Sequence, residues 1–337
     1  MSKSSLIKIS IIIPTYNSQD TLETTLRSLE KQALHCPHME ILVIDGGSTD
    51  STVDIAKKYG AKVINNPHRL PEPAKLIGLK KARGQYVCFM DSDESFVSKY
   101  QLKKRLDLFA NYPELKVIIT DYCLSPPHSS WSTIYSCLFG DPFTAFVLSL
   151  RQGSNIKNYR NLLKTKIKDA HIYDLKDESW RFIGDGGTST YSRQALNAYL
   201  EKSQGIVEAK SKLMCKERKF GIITDDNVVH DPRITLVKYF QKLKFRIINN
   251  IHYPQESGYS VRSDKASSTI KKRQLLYLIY CLFPIAPLLD MFFLVVKYRK
   301  ISLSIHFILV YYIVVMTIWQ MILKIVGKSP RIISYAK

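Results

Sequence analysis

None of the six cysteines, at positions 36, 88, 123, 137, 215 and 281, stands in a CxxC pair. Neither a zinc site nor a disulfide framework is therefore suggested, and a reducing cytosolic face is the default setting. Acidic residues are scarce beside basic ones: 29 Asp and Glu against 49 Lys and Arg leave a formal net charge of +20. Such an excess demands an anionic partner or surface, and nucleic acid, anionic lipid headgroups or a phosphorylated small substrate would each fit. The apolar run Ile9 to Ile13 near the N-terminus is too short for a signal-peptide core and reads as a buried strand. No internal repeat or low-complexity tract is visible, and a hydrophobic content of 45% excludes a mostly disordered chain. At 337 residues there is room for one large α/β domain and an appendage.

The first half alternates short β-rich runs with longer helical patterns. Lys8 to Pro14, Glu40 to Asp45, Ala61 to Ile64, Tyr86 to Met90 and Val117 to Thr120 read as strands, while Asp20 to Gln32, Ser51 to Tyr59 and Pro73 to Ala82 read as helices. That alternation predicts βαβ units and a mainly parallel sheet, whose ligands sit at the carboxyl ends of the strands. From Ser125 to Trp180 the pattern breaks at SPPHSSW, and the expectation is a set of helices over the acceptor side.

Two stretches, Leu275 to Val296 and Ile301 to Leu323, are almost wholly apolar. Each is long enough to cross a hydrocarbon layer of roughly 30 Å as a helix, so two transmembrane helices are expected, with a buried pair of core helices as the alternative. Pro284, Pro287 and Asp290 interrupt the first stretch, which can then lie partly in the interface. From Arg262 onward there are twelve Lys or Arg and two Asp, with RSDKASSTIKKR before the first stretch and KSPRIISYAK after the second. Both flanks thus read as cytoplasmic, yet the KYRK link at 297–300 would carry positive charge to the far side of a simple hairpin. Leu236 to Ile248 mixes Lys238, Lys242, Lys244 and Arg246 with apolar residues at helical spacing, the pattern of a helix lying on an anionic membrane.

The strongest chemical signal is Asp91, Ser92, Asp93 and Glu94 directly after the strand YVCFM. Closely spaced carboxylates at a strand end can hold Mg²⁺ or Mn²⁺ against a pyrophosphate, or they can form an acidic loop that caps the next element. Two further strand ends are polar. The first runs out in Pro14, Thr15, Tyr16 and Asn17; the second ends at Asp45 and enters GGSTDST, where Gly46 and Gly47 permit a tight turn and Ser48, Thr49 and Asp50 can cap a helix.

In ISIIIPTYNSQDTLETTLRSL, EILVIDGGSTDSTVDIAKKYG and KLIGLKKARGQYVCFMDSDE the sequence resembles the family 2 glycosyltransferases, almost continuously over the first hundred residues. The resemblance implies a GT-A fold and, position by position, a donor pocket. Pro14, Thr15 and Asn17 would line the nucleotide, Asp45 would contact the base, Asp91 and Ser92 would meet the donor, Lys75 would stand beside it, and Asp93 would bind the metal. FIGDGGTSTYSRQAL resembles the family's acceptor segment, which would place Asp185, Gly186 and Gly187 against the sugar and acceptor. NVVHDPRITLVKYFQKLKFRI resembles the family's ending, with His230 at the metal or diphosphate.

One departure matters. Where the family carries an acidic pair whose Asp is the catalytic base, this sequence reads GIVEAKSKLMCKERKFG, and ungapped spacing back from Leu213 puts Ala209 and Lys210 on the pair. Glu208 is the nearest acid, one residue out of step, and Asp185 is the reserve base.

The implied organisation is a GT-A domain over 1–235, with a nucleotide half at 1–124 and an acceptor half at 125–235. A basic interfacial segment at 236–273, two transmembrane helices within 274–324 and a basic cytoplasmic tail at 325–337 would follow. The expected activity is inverting transfer of a sugar from a UDP- or GDP-sugar to a membrane-presented polyprenyl phosphate, lipid-linked glycan or nascent polysaccharide. The catalytic domain would lie on the cytoplasmic face, with no nucleic-acid partner. A nucleotidyltransferase and a membrane scaffold that keeps only the nucleotide-binding shell are the competing readings.

Overall fold

The computed structural model describes residues 7–148, 154–174, 188–203, 205–253 and 268–330. The chain divides into two compact units: Met1–Leu124, Ser154–Asp177 and Ile183–Pro232 in the first, and Ser125–Gly153, Glu178–Phe182 and Arg233–Lys337 in the second.

The first unit is built on β1 (Ile9–Thr15), whose residues are buried on both faces apart from half-buried Pro14. A strand apolar on both sides belongs in the middle of a covered parallel sheet. There it lies between β2 (Met39–Asp45) and β4 (Tyr86–Phe89), both parallel to it, with β3 (Lys62–Asn65) outside β2. Helices α1 (Gln19–Ala33), α2 (Thr52–Lys58) and α3 (Pro71–Lys81) make the crossovers. Leu22, Leu26 and Leu29 form the buried stripe of α1 at helical spacing. Pro71 starts α3 where no amide donor is needed. Gly78 lets α3 settle onto β1, since a Cβ there would stand 2.3 Å from the Ile12 side chain.

Beyond β4 the sheet changes character. β5 (Glu94–Phe96) and α4 (Gln101–Asn111) lead to β6 (Val117–Ile119) and β7 (Tyr122–Leu124). The nine-stranded sheet runs β3-β2-β1-β4-β10-β6-β11-β9-β8, with β8 (Leu163–Ile167), β9 (Ala170–Asp174), β10 (Thr190–Ser192) and β11 (Lys219–Ile223). β10 is antiparallel to both β4 and β6, and β9 is antiparallel to β11 and β8. The expected mainly parallel sheet is thus mixed: β3, β2, β1 and β4 run parallel, and beyond antiparallel β10 the strands β6 and β11 pair in parallel. A second sheet joins β5 and β7 on either side of β12 (Asn227–His230).

Helices over the whole of 125–180 are also only partly found. The helices α5 (Trp131–Phe139), α6 (Pro142–Leu148) and the short α7 (Asn155–Asn158) occur, but residues 163–174 form the β8–β9 hairpin. The exposed lysines of β8 suit an edge strand, where charge discourages pairing with another chain. α8 (Arg193–Leu200) and α9 (Ile206–Glu217) complete the first unit.

The second unit is helical. Its helices include α10 (Leu236–His252), α11 (Ser268–Leu282), α12 (Ile285–Tyr298) and α13 (Ile305–Ile325); α10, α12 and α13 join α5 and α6 around Tyr135, Phe139, Tyr239, Leu243, Leu303 and Leu309, while α11 packs Tyr277 and Cys281 against Val310. The first apolar stretch is not one straight span. It breaks beside Pro284 into Lys271–Leu282 and Ile285–Tyr298, bent by 98°. Proline supplies no amide hydrogen and crowds the preceding turn, which is why the helix restarts there. Among the described residues one helix, Ile301–Ile325, is long and apolar enough to cross a membrane. α10, expected as a surface helix, buries Tyr239, Leu243, Ile248 and Asn249 within this unit.

Candidate active site

The carboxyl ends of β1, β2 and β4 come out together, because the parallel register sets Thr15 opposite Asp45 and Ile12 opposite Phe89. Asp45 is buried and spends both oxygens on the turn: Oδ1 accepts from Thr15 Oγ1 at 3.0 Å and Ser48 Oγ at 2.6 Å, and Oδ2 accepts from the amides of Gly47 and Ser48 at 2.9 and 2.8 Å. Gly47 takes the left-handed backbone conformation this turn needs, at φ +83°. Asn17 ties the first loop to the second, its amide donating to Ser48 Oγ and its Oδ1 accepting from the Thr49 amide. The exposed Arg69 guanidinium lies 5.5 Å from the Tyr16 ring centroid and brings a positive charge to the same rim.

The four residues after β4 are held at several points. Ser92 donates to Ser18 Oγ at 3.0 Å, and its carbonyl accepts from Thr25 Oγ1 at 2.9 Å. Lys75, on α3, sets its ammonium 3.4 Å from Asp91 Oδ1. Asp93 Oδ2 is 3.4 Å from His230 Nε2, while the buried Asp93 Oδ1 has no hydrogen-bond partner. Glu94 is buried, pairs across β5–β12 with His230 and accepts the Asp91 amide at 3.0 Å. Burial first, then the neighbouring Asp91 and Asp93 carboxylates, pushes its pKa up to about 8. Burial disfavours the His230 imidazolium, but hydrogen bonds to Asp93 and Cys123 outweigh it and hold its pKa well above the ordinary histidine range. Asp93, with an orphaned buried oxygen beside His230, offers the kind of hard oxygen donor that suits a divalent cation, and Asp91 stands two residues away.

A family model described as Glycosyl transferase family 2 matches residues 10–200, more than half of the chain. The chain belongs to that family. It is 30% identical over 212 residues to the glycosyltransferase YibD of Escherichia coli, a match that covers 57% of this chain and 61% of that protein. Over 139 residues it is 32% identical to the E. coli UDP-Glc:alpha-D-GlcNAc-diphosphoundecaprenol beta-1,3-glucosyltransferase WfaP, covering 37% of this chain and 55% of the other. The chain thus spans less than two thirds of the length of these curated relatives. Among solved structures, a mannosyltransferase from Pyrobaculum calidifontis, in complex with GDP-Man and Mn²⁺, superposes with a TM-score of 0.53 at 14% identity. That match covers 93% of this chain and 87% of the other, a likeness of fold.

Within this family 2 member, Pro14, Thr15, Asn17, Asp45, Lys75, Asp91, Ser92, Asp93 and His230 all lie in the first unit, on or beside the loops just described. Asp185, Gly186 and Gly187 lie outside the described residues, as does the side chain of Glu208, whose backbone is in α9. Next to it Lys210 is buried, with its ammonium 4.3 Å from the Phe89 ring centroid and 5.2 Å from that of Tyr191.

Glu94, one of the acids that mark this loop in the sequence, is turned inward by the pairing of β5 with β12. A second group has no sequence signal. Arg105, on α4, is fully buried and pairs with Asp226 at 2.8 Å. It also donates to the Thr188 carbonyl and to the hydroxyls of Thr190 and Thr120. Through these bonds it fastens the start of β10, just after the acceptor segment, to the sheet. A single arginine within the amphipathic pattern QLKKRLDLFAN gave no sign of this.

Proposed function

We propose that this chain transfers a sugar from a nucleoside diphosphate sugar, UDP- in preference to GDP-linked, to an acceptor presented at a membrane, with inversion at the anomeric carbon. The observation that carries the reading is the Asp91 to Glu94 loop at the end of a central strand, with Asp93 Oδ1 unpartnered beside His230. Asp93 would hold Mg²⁺ or Mn²⁺, joined by His230 once its ring gives up the proton it shares with Asp93, and the metal when bound would neutralise charge on the departing diphosphate. The loops of Pro14, Thr15, Asn17 and Asp45 take the nucleoside, and Lys75, Asp91 and Ser92 flank the rest of the donor. Asp45 acts there chiefly through the turn it braces, since its oxygens already carry four hydrogen bonds.

Acceptor activation falls to Glu208 or Asp185, with Gly186 and Gly187 leaving room for the sugar. The deprotonated acceptor oxygen then attacks opposite the leaving group in a single displacement. A lipid-linked acceptor is supported by the relative whose name specifies a diphosphoundecaprenol substrate. The catalytic unit would then work on the cytoplasmic side, where sugar nucleotides are made. The test is a donor screen on the full chain in lipid, reading free nucleoside diphosphate with Mn²⁺, with Mg²⁺ and with chelator. Metal-dependent release from one donor is expected; no turnover with any sugar nucleotide would favour a scaffold instead.

A further inference from the structure

Independently of the donor chemistry, we propose that the second unit docks into one leaflet of an anionic bilayer and does not cross it. Three observations within that unit point the same way.

The first is the bend. Lys271–Leu282 and Ile285–Tyr298 meet at 98°. At 1.5 Å per residue the arms are about 18 and 21 Å long, so the apex of the V lies only about 15 Å from the line joining its ends, half of a roughly 30 Å hydrocarbon layer. The apex is apolar and open, with Leu282 76%, Phe283 64% and Ile285 69% exposed.

The second is where the charge sits. Lys271 and Lys272 stand exposed at one end of the V, and Lys297, Arg299 and Lys300 at the other. An apolar apex with two basic ends is the pattern of a re-entrant hairpin whose ends share one headgroup layer. A span of the whole bilayer would instead divide these charges between its two faces. The KYRK link, awkward for a transmembrane hairpin, then lies on the same side as KKR.

The third is α10. This helix runs alongside α13: the Tyr312 hydroxyl donates to the Phe240 carbonyl at 3.1 Å, His252 meets Gln320 at 3.1 Å, and Lys324 reaches the Ile251 carbonyl at 2.6 Å. Gln241, Lys244 and Asn250 on α10 are exposed. Were α13 to cross, this polar face would be drawn through the hydrocarbon beside it, where a central lysine is strongly disfavoured. With α13 lying along the leaflet, its exposed Ile308, Val315, Trp319 and Ile322 meet the acyl chains while α10 stays at headgroup level.

Sidedness tests this directly. Single cysteines at Gln241, Lys300 and Lys328, placed in a full-length chain whose native cysteines are replaced and which still binds membranes, would be labelled with an impermeant maleimide in sealed vesicles. All three should react from one face and none from the other. Labelling of Lys300→Cys or Lys328→Cys only from the face opposite Gln241→Cys would overturn the proposal, because the V or α13 would then cross. Sedimentation with vesicles supplies a second arm. Phe283→Asp, at an exposed position where folding should be unaffected, is expected to weaken binding to phosphatidylglycerol-containing vesicles at least tenfold, and neutral vesicles should bind the unaltered chain less well than anionic ones. Equal binding by Phe283→Asp, or no preference for anionic lipid, would count against it.

Discussion

The two units differ most in what they leave outside. In the first, large apolar side chains line the sheet and few are left outside, while its fully buried guanidinium, that of Arg105, is matched by Asp226. In the second, the outside carries Leu282, Phe292, Val296 and Ile325, while the inside holds a polar cluster. There His306 Nδ1 meets the Tyr135 hydroxyl at 2.6 Å, and its Nε2 faces Tyr280 at 3.0 Å and Asp290 at 3.4 Å. A surface that apolar is costly in water and favourable in acyl chains. The difference is what the proposed docking of the second unit into a bilayer would require, with the proposed donor loops in the other unit.

The comparison is broken most severely at Arg105. Replacing it by Ala strands Asp226 in the core, and a loss of about 3–5 kcal/mol in unfolding free energy is expected; denaturant titration of the full chain in detergent would measure it. Arg105→Met with Asp226→Leu should recover much of that loss, because an apolar pair of similar volume carries no uncompensated charge.

Next come substitutions that spare the fold and strike the site. Asp93→Ala should abolish divalent-dependent donor binding by calorimetry, and unchanged metal-dependent affinity would remove it from the metal site. Glu208→Gln is expected to lower single-turnover transfer to a hydroxyl acceptor by roughly a hundredfold while donor affinity stays put. Asp185→Asn, run beside it, decides between the two acids. Neither change should matter for a phosphate acceptor, whose oxygen is already ionised.

A smaller effect sharpens the second half of the comparison. Tyr135→Phe takes a partner from buried His306 and should cost about 1–3 kcal/mol, read as a lower melting temperature. Smallest is Lys75→Ala. Its pair with the half-exposed Asp91 is worth only about 0.2–1 kcal/mol to stability. A several-fold loss of donor affinity with the melting temperature unchanged would therefore assign Lys75 to the donor.

The sequence by itself determined the nucleotide half. Strand and helix periods, glycines and acids recur there within about a hundred contiguous residues, so local pattern and family motif agree from β1 to the DSDE loop. What lay beyond its reach was set by pairing between distant segments. Whether β10 runs parallel or antiparallel beside β4 depends on the path of the chain between them, which residue types do not encode. Glu94 faces inward only because β12 pairs with β5, and Arg105 is a core cation only because Asp226, 121 residues later, comes back to meet it. In the second unit, hydropathy registered the amount of apolar surface, but the direction of each helix did not follow from it. A 98° break beside one proline and a polar helix packed along α13 are features of the tertiary structure, and the proposed docking into one leaflet rests on them. Composition fixes how much of the chain avoids water, and only the tertiary arrangement fixes how deep it can go.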